Sequence, residues 1–264
     1  MLRPRIIPCL LVHDGGLVKT VKFSDPTYVG DPINAVRIFN EKEADELMVI
    51  DIDATVNGSE PDYKMIADLA VECRMPLCYG GGVNNAGQAR HIISIGVEKV
   101  AISSAAVASP DCISVISDAV GRQSVVVVID VKKRKFSNVH DVYIRNGKEK
   151  TGLTALDFAE TMQKAGAGEI VINSVERDGT MQGYDLALAK QLRERVNIPI
   201  TFLGGASSLD NIVQLVDTVG PCGAAAGSLF VFKGKYRAVL INYPGPEKKE
   251  SLLRHSAFKP LTDQ

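Results

Sequence analysis

The hydrophobic residues of this chain form eight short, continuous runs, separated by longer segments with the periodicity of amphipathic helices. Runs without alternation are typical of parallel strands that helices cover on both faces. Eight strands that each precede a helix predict an α/β protein with the fold of a (β/α)8 TIM barrel. The predicted strands are Arg5–Leu11, Glu46–Asp51, Pro76–Tyr79, Lys99–Ile102, Val125–Asp130, Glu169–Asn173, Pro199–Leu203 and Gly223–Ala226.

The two halves of the chain resemble each other. The run that starts at Glu46 returns at Glu169, and Gly81-Gly82 returns at Gly204-Gly205, in both cases 123 residues later. Matching positions at one offset indicate two duplicated half-barrels. We therefore predict a single barrel over residues 1–244, with half-barrels at about 1–122 and 123–244, and a polar C-terminal tail at 245–264.

Two long segments interrupt the repeated pattern. Gly15–Gly30 follows the first strand and is long enough to predict a lid over the barrel. Lys132–Lys150 follows the fifth strand, is polar and rich in Lys and Arg, and predicts a surface hairpin or loop.

Composition narrows the classes of function. Of the 264 residues, 45% are hydrophobic and 23% are charged, and the net charge is -1, which excludes a disordered chain and gives no attraction to nucleic acid or an anionic membrane. The five cysteines are scattered without CxxC spacing, which favours reduced thiols in a cytoplasmic protein. The four histidines have no metal-ligand spacing, and Gly80-Gly81-Gly82 lacks the GxGxxG spacing of a dinucleotide fold, so we expect neither a metal nor a cofactor.

The carboxyl ends of the predicted strands carry two groups of glycines and hydroxyl residues. Glycine lets backbone N–H groups approach an anion, so both groups predict phosphate sites, which suits a substrate with a phosphate at each end. The alternative is that these glycines only allow tight turns. The candidate substrate- and phosphate-binding residues are Lys19, Asp51, Gly82, Ser103, Ser104, Asn173, Asp178, Gly179, Gly204, Gly205, Gly227 and Ser228.

Charged residues mark both ends of the predicted barrel. Asp130 ends the run Val-Val-Val-Val-Ile, and an apolar setting raises a carboxyl pKa toward a value useful for acid–base catalysis, although a structural loop cap is the alternative. At the opposite end, Arg5, Glu46, Lys99 and Glu169 each open a strand. Together these two cations and two anions could form a ring across the barrel. Burying such a ring costs free energy unless its charges are paired, which suggests a functional reason for it.

Several of these motifs together resemble the cyclase subunit of imidazole glycerol phosphate synthase, over residues 1 to about 235. They are Arg5-Ile-Ile-Pro-Cys-Leu, Asp14-Gly with Lys19, Gly80-Gly81-Gly82, Val-Val-Ile-Asp130 and Arg177-Asp178-Gly179-Thr180. The resemblance implies a cytoplasmic barrel that pairs with a glutaminase subunit of the class I amidotransferase type. It implies that ammonia passes up the barrel axis to a bisphosphorylated substrate, giving imidazole glycerol phosphate and an aminoimidazole carboxamide ribotide in histidine biosynthesis.

The resemblance also implies roles for single residues. Arg5, Glu46, Lys99 and Glu169 match the family's charged gate at the ammonia entrance. Glu98 falls where the family has an acidic residue that faces the glutaminase. Asp130 matches one of two catalytic aspartates.

The second catalytic aspartate is missing. The family pattern at the end of the first strand is Cys-Leu-Asp-Val, whereas this chain has Leu11 in the third position. Loss of one general acid or base typically removes about 10²–10⁴ in rate. Ser103-Ser104 replaces a common Asn-Thr, and Asn173 replaces a common Thr, but these changes keep hydrogen-bonding groups.

An intact gate with a damaged cyclase site resembles a branch of the family found among bacterial genes for surface polysaccharides. In that branch a second cyclase-like subunit and a second glutaminase, with a separate sugar amidotransferase, supply ammonia for an acetamidino group. Three hypotheses follow: an ammonia-delivering subunit, a cyclase that works without the second aspartate, and a phosphoribosyl isomerase. The isomerase ranks last because it also needs two acidic groups and has no use for the gate.

Overall fold

The computed structural model describes residues 3–234 and 236–254, with side chains described to residue 252. Eight parallel strands form a closed barrel, because each strand pairs with the next and β8 pairs with β1. This arrangement confirms the predicted (β/α)8 fold. The strands are β1 (Arg5–His13), β2 (Leu47–Asp51), β3 (Leu77–Gly80), β4 (Lys99–Ile102), β5 (Val125–Lys133), β6 (Glu169–Ser174), β7 (Ile200–Leu203) and β8 (Gly223–Ala226).

Helices surround the barrel, and several begin at side-chain caps. Asp31, Asp62, Asn85, Thr154 and Asp185 each accept a hydrogen bond from a backbone N–H in the first turn of the helix that follows. The helices are α1 (Pro32–Glu41), α2 (Ala54–Asn57), α3 (Tyr63–Glu72), α4 (Ala86–Ser94), α5 (Ser104–Ala108), α6 (Asp111–Val120), α7 (Ala155–Ala165), α8 (Leu186–Arg195), α9 (Leu209–Val219), α10 (Ser228–Val231) and α11 (Pro246–Arg254), with a 3-10 turn at Arg122–Ser124.

The predicted lid is instead an antiparallel hairpin, which we call the first hairpin (Gly16–Val21 and Ser24–Gly30). Its first strand pairs with the end of β1 through a two-residue turn at Asp14 and Gly15. Both turn residues have positive φ, 47° and 74°, which an Asp-Gly pair accommodates well. The segment is therefore a fixed extension of the sheet rather than a loop.

The second long segment is a hairpin, as predicted. β5 continues past the barrel and pairs antiparallel with His140–Ile144, which pairs in turn with Glu149–Thr154. We call these two strands the second hairpin. Both hairpins extend from the carboxyl-end face of the barrel.

The barrel has two apolar layers. The larger one lies between strands and helices, where residues such as Phe39, Leu77 and Ile116 are fully buried. The smaller one fills the lumen beside the buried hydroxyl of Thr201, and its buried members are apolar or thiol-bearing. They are Ile7, Cys9, Met48, Cys78, Ala101, Val126, Val171 and Ala225.

Part of the predicted polar tail is ordered against the barrel. In α11, Lys249 Nζ lies 2.6 Å from Asp45 Oδ1 and donates to the carbonyl of Glu43. Just before this helix, the Tyr243 hydroxyl donates to the carbonyl of Ile6 at 2.9 Å. The remaining tail, residues 255–264, lies outside the described residues. No helix in the described ranges has the length and apolar character needed to cross a membrane.

Candidate active site

A cavity of about 390 Å³ opens where the carboxyl ends of the strands meet, and we call it the mouth cavity. The structure brings nine of the residues singled out from the sequence to its wall, from both halves of the chain. These are Leu11, Lys19, Asp51, Gly82, Ser103, Ser104, Asp130, Asn173 and Asp178.

The second predicted phosphate group lines a separate, small cavity on the same face. Its residues come from the loop after β6 and from the ends of β7 and β8, where phosphate sites in this fold commonly lie. Asp178 lines both cavities, so the two are neighbours. The predicted residues in the small cavity are Asp178, Gly179, Gly204, Gly205, Gly227 and Ser228.

Asp130 is joined to Asn173 across adjacent strands. The two residues are register partners in β5 and β6, and Asn173 Nδ2 donates to Asp130 Oδ1 at 3.0 Å. Burial raises the pKa of Asp130 to about 7; the hydrogen bond from Asn173 opposes this rise and the charge of Asp178 adds to it. A carboxyl with this pKa can exchange a proton near neutral pH.

Lys19 lies in the first hairpin and is buried, with only 5% of its surface exposed. Its ammonium group packs against Gly227, where even a methyl side chain would collide with it. Lys19 is therefore not a solvated surface lysine, and the absence of a side chain at position 227 gives it room between the two cavities.

Asp178 joins the first hairpin to the loop after β6 by hydrogen bonds. Its Oδ2 accepts a hydrogen bond from the Thr20 hydroxyl at 2.6 Å and one from the backbone N–H of Phe23 at 3.3 Å. The neighbouring Gly179 has φ of 67° and presses on the Thr20 carbonyl so closely that no side chain fits. These contacts give both residues a structural role besides the predicted one.

Asp51 also has a structural role that the sequence did not reveal. Its Oδ1 accepts hydrogen bonds from the backbone N–H groups of Asp53 at 2.8 Å and Ala54 at 3.1 Å, at the start of α2. Burial raises the pKa of Asp51, and these two hydrogen bonds oppose the rise. One carboxylate oxygen of Asp51 is therefore already hydrogen-bonded to the backbone of the loop.

Leu11 faces the mouth cavity from β1 and packs with Ile50, Val128 and Leu203 on the apolar layer of the lumen. Asp14, three residues further on, lies in the turn of the first hairpin, and its backbone N–H donates to Asp53. It is absent from the cavity wall, so it does not take the place of the missing aspartate.

At the opposite end of the barrel, Arg5, Glu46, Lys99 and Glu169 form one connected group, which we call the basal cluster. Arg5 pairs with Glu46 and lies 2.7 Å from Glu169, while Lys99 Nζ lies 2.8 Å from Glu46 and 2.9 Å from Glu169. Burial raises the pKa of Glu169, but Lys99 and Arg5 outweigh it and the net pKa is lowered. Thr201 adds a hydrogen bond to Glu169 at 2.5 Å.

The remaining predicted residue, Glu98, lies beside this cluster. Its side chain is exposed, and Oε2 accepts a hydrogen bond from the backbone N–H of Leu77 at 2.6 Å. It therefore lies on the face where the basal cluster reaches the surface.

One group of ligand-type side chains was not predicted. His13, Asp14 and Asp53 hold ligand-type atoms within 4.8 Å of one another at the turn of the first hairpin. His13 Nδ1 lies 2.7 Å from Asp53 Oδ1, and this hydrogen bond raises the pKa of His13. None of the three residues lines the mouth cavity.

Comparison with known proteins agrees with this architecture. Residues 5–237 match the family described as histidine biosynthesis protein. A Leptospira borgpetersenii protein, provisionally named imidazole glycerol phosphate synthase subunit HisF, is 55% identical over 252 residues, which are 96% of this chain and 99% of that protein. A Pseudomonas aeruginosa protein, provisionally named subunit hisF2 of the same enzyme, is 50% identical over 248 residues, 94% and 98% of the two chains.

A further relative carries the enzyme name without qualification. The Clostridium botulinum imidazole glycerol phosphate synthase subunit HisF is 39% identical over 233 residues, which are 88% of this chain and 92% of that one. With the barrel, the basal cluster and the mouth cavity all present, the chain belongs to the histidine biosynthesis protein family, as a HisF-like subunit.

Proposed function

We propose that this chain is a synthase-type subunit that receives ammonia from a partner glutaminase and delivers it at the barrel mouth. The acceptor in this proposal is a sugar of a surface polysaccharide, on which a separate sugar amidotransferase forms an amidine. Ammonia enters at the basal cluster, crosses the lumen and leaves at the mouth cavity. The glutaminase docks on the face that carries Glu98.

The observation that carries the proposal is Leu11. It occupies the mouth cavity at the position where a cyclase of this family has its second catalytic aspartate, and it has no proton to give or take. The basal cluster, in contrast, keeps all four charges in contact, and a cluster of buried apolar and thiol-bearing residues fills the lumen above it. A route for ammonia without a complete cyclase site favours delivery over ring closure.

The second candidate function is that of a genuine imidazole glycerol phosphate synthase cyclase. In this case the chain converts the bisphosphorylated formimino ribotide and ammonia to imidazole glycerol phosphate and an aminoimidazole carboxamide ribotide. Asp130 favours this alternative, because its pKa of about 7 suits a general acid or base. The two adjoining cavities also suit a ligand with two phosphates. The lyase activity would then depend on Asp130 alone.

Turnover of the histidine-pathway substrate separates the two functions. The purified chain is supplied with the bisphosphorylated substrate and saturating ammonium salt, so that no glutaminase is needed, and substrate loss is followed. We expect no turnover by the wild type and a gain of activity in Leu11→Asp. Leu11→Asn is the matched control, because it introduces a side chain of the same shape without a titratable proton. Clear wild-type turnover would make the chain a cyclase and overturn the delivery proposal.

Two further features of the proposal concern the cell. All five cysteines are free thiols in the structure, which is compatible with a reducing compartment. A cytoplasmic location, where glutamine and nucleotide sugars are available, stays a prediction.

A further inference from the structure

Asn173 holds an unsatisfied carbonyl oxygen at the wall of the mouth cavity. Its amide nitrogen donates to Asp130 Oδ1 at 3.0 Å, which turns its own Oδ1 away from that carboxyl oxygen. Only 9% of the residue is exposed, and Oδ1 has no hydrogen-bond partner within the described part of the chain. Because a buried acceptor without a donor lowers stability, this oxygen points to a ligand that brings an N–H or O–H group.

The position of Asn173 along the barrel narrows the choice of ligand. Alternate residues of β6 face the lumen, so Glu169, Val171 and Asn173 follow one another from the base to the mouth. On the neighbouring β5, Val128 precedes Asp130 in the same way. On these two strands, Asp130 and Asn173 are the first polar side chains that a molecule rising from the basal cluster meets.

Building on the proposed function, in which ammonia rises through this lumen, we propose that Asn173 and Asp130 form a receiving site for ammonia. Ammonia has three N–H donors and one lone pair. One N–H donates to Asn173 Oδ1 and another to a carboxylate oxygen of Asp130, so the lone pair stays free for an acceptor carbon at the mouth. Thr, the residue that this family commonly has at position 173, offers no amide that both fixes Asp130 and presents a carbonyl.

Leu11 is compatible with an ammonia site at Asp130 and Asn173. A second carboxyl at this position would add a proton donor to the cavity, and a protonated ammonia has no lone pair to attack with. Leu11, Ile50 and Val128 line the cavity where it meets the apolar layer of the lumen, so the wall on that side of the site is apolar. In its ionised form Asp130 accepts an N–H from the ligand and has no proton to give it.

The test is a titration of the full-length, isotope-labelled chain with ammonium chloride, followed by NMR at two pH values. Both lie above the pKa of Asp130, and the second lies closer to the pKa of ammonium, so Asp130 stays ionised while the fraction of free ammonia rises. The side-chain amide resonance of Asn173 is identified by its absence in Asn173→Leu. We expect a saturable shift of this resonance that needs less total ammonium chloride at the higher pH, and no shift with potassium chloride, because potassium has a size and charge similar to ammonium but no N–H group. The same midpoint at both pH values would show that ammonium binds instead of ammonia and would overturn the proposal. The amide of Asn146, which lines the same cavity and donates to the carbonyl of Ile52, is the internal control and should not move.

Variants show whether both residues are needed. Asp130→Asn should weaken the ammonia affinity about tenfold, since a neutral amide replaces a charged acceptor. In Asn173→Leu the carboxyl carbon resonance of Asp130 should report a similar loss, and Asn173→Thr provides a second, milder variant if the leucine variant does not fold. An Asn173 resonance that does not shift, or that shifts equally with potassium, would overturn the proposal. Neither result depends on a glutaminase or a sugar, so wild-type cyclase turnover would overturn the proposed function and leave this binding result standing.

Discussion

Asp130 and Leu11 show how one side chain changes the chemistry available at the end of a barrel strand. Asp130 lies in an apolar strand end, and its burial favours the neutral form. A neighbouring carboxyl at position 11 would provide the partner for a two-group acid–base reaction, but Leu11 provides only apolar surface. The remaining group can still bind or move one proton, which suits the handling of ammonia better than the closure of a ring.

The raised pKa of Asp130 predicts a pH-dependent cost to stability. The pKa of Asp130 in the folded protein, about 7, lies above the ordinary value of 3.8. The contribution of Asp130 to the free energy of unfolding therefore falls as pH rises from about 4 to about 7 and is constant above that range. Asp130→Asn removes this cost and still accepts from Asn173. We expect the variant to be more stable than the wild type by roughly 2–4 kcal/mol at pH 8, and by little near pH 4.

Thermal unfolding of both proteins at a series of pH values measures this difference. Asp68→Asn, the same change at an exposed position on α3, is the matched control. A stability difference between wild type and Asp130→Asn that is the same at every pH would show that Asp130 is not held neutral by burial.

At the scale of elements, the barrel strands were predictable and the first hairpin was not. Parallel strands buried on both faces give continuous apolar runs, and all eight runs start at the first residue of their strand or one residue before it. The second strand of the first hairpin, Ser24–Gly30, is mostly exposed and polar, so it carries no hydrophobic period. The Asp14-Gly15 pair, which favours a tight hairpin turn, was the feature of the sequence from which the hairpin could have been predicted.

The candidate site was predictable in position but not in its hydrogen bonds. Strand ends of a parallel barrel meet on one face, which is why residues as distant in sequence as Gly82 and Asp178 line one cavity. The orientation of Asn173 toward Asp130 depends on the register of β5 and β6, and the capping role of Asp51 depends on the path of the next loop. Neither is determined by the local sequence.

The contact between Thr20 and Asp178 predicts how the first hairpin is held. Thr20→Val keeps the shape of the side chain but removes the donor to a buried carboxylate, which should cost about 1–3 kcal/mol. We expect faster hydrogen exchange at residues 16–30 with little change in the barrel strands, measured by mass spectrometry. Thr27→Val, an exposed change on the same hairpin, should leave exchange unaltered. Equal loss of protection throughout the barrel would contradict a local role for this hydrogen bond.

At the scale of the whole molecule, the basal cluster and the mouth cavity lie at the two ends of one apolar lumen. The four charges of the cluster come from residues 5, 46, 99 and 169, so the cluster forms only when most of the chain has folded. Glu46 and Glu169 each contact both cations, and each cation contacts both carboxylates. The cluster is electrically balanced, which offsets the desolvation of its buried carboxylates.

This balance predicts a particular pattern of variant stabilities. Glu46→Gln leaves two cations with one carboxylate and should cost about 3–5 kcal/mol, because an uncompensated charge stays partly buried. Adding Lys99→Met balances the charges again, because one cation, Arg5, then faces one carboxylate, Glu169. The double variant should therefore recover most of the stability that Glu46→Gln loses. Glu72→Gln, which removes a more exposed ion pair with Arg37, should have a much smaller effect on stability.

Urea unfolding of the single and double variants measures this coupling. If the stability lost in the double variant equals the sum of the losses in the two single variants, the charges act independently and the cluster is only a set of separate surface pairs. Recovery in the double variant would instead show that pairing, rather than the number of ion pairs, keeps the base of the barrel closed. In the proposed delivery of ammonia, the base must stay closed while the lumen above it remains apolar, because water that entered there could protonate ammonia before it reached Asp130 and Asn173.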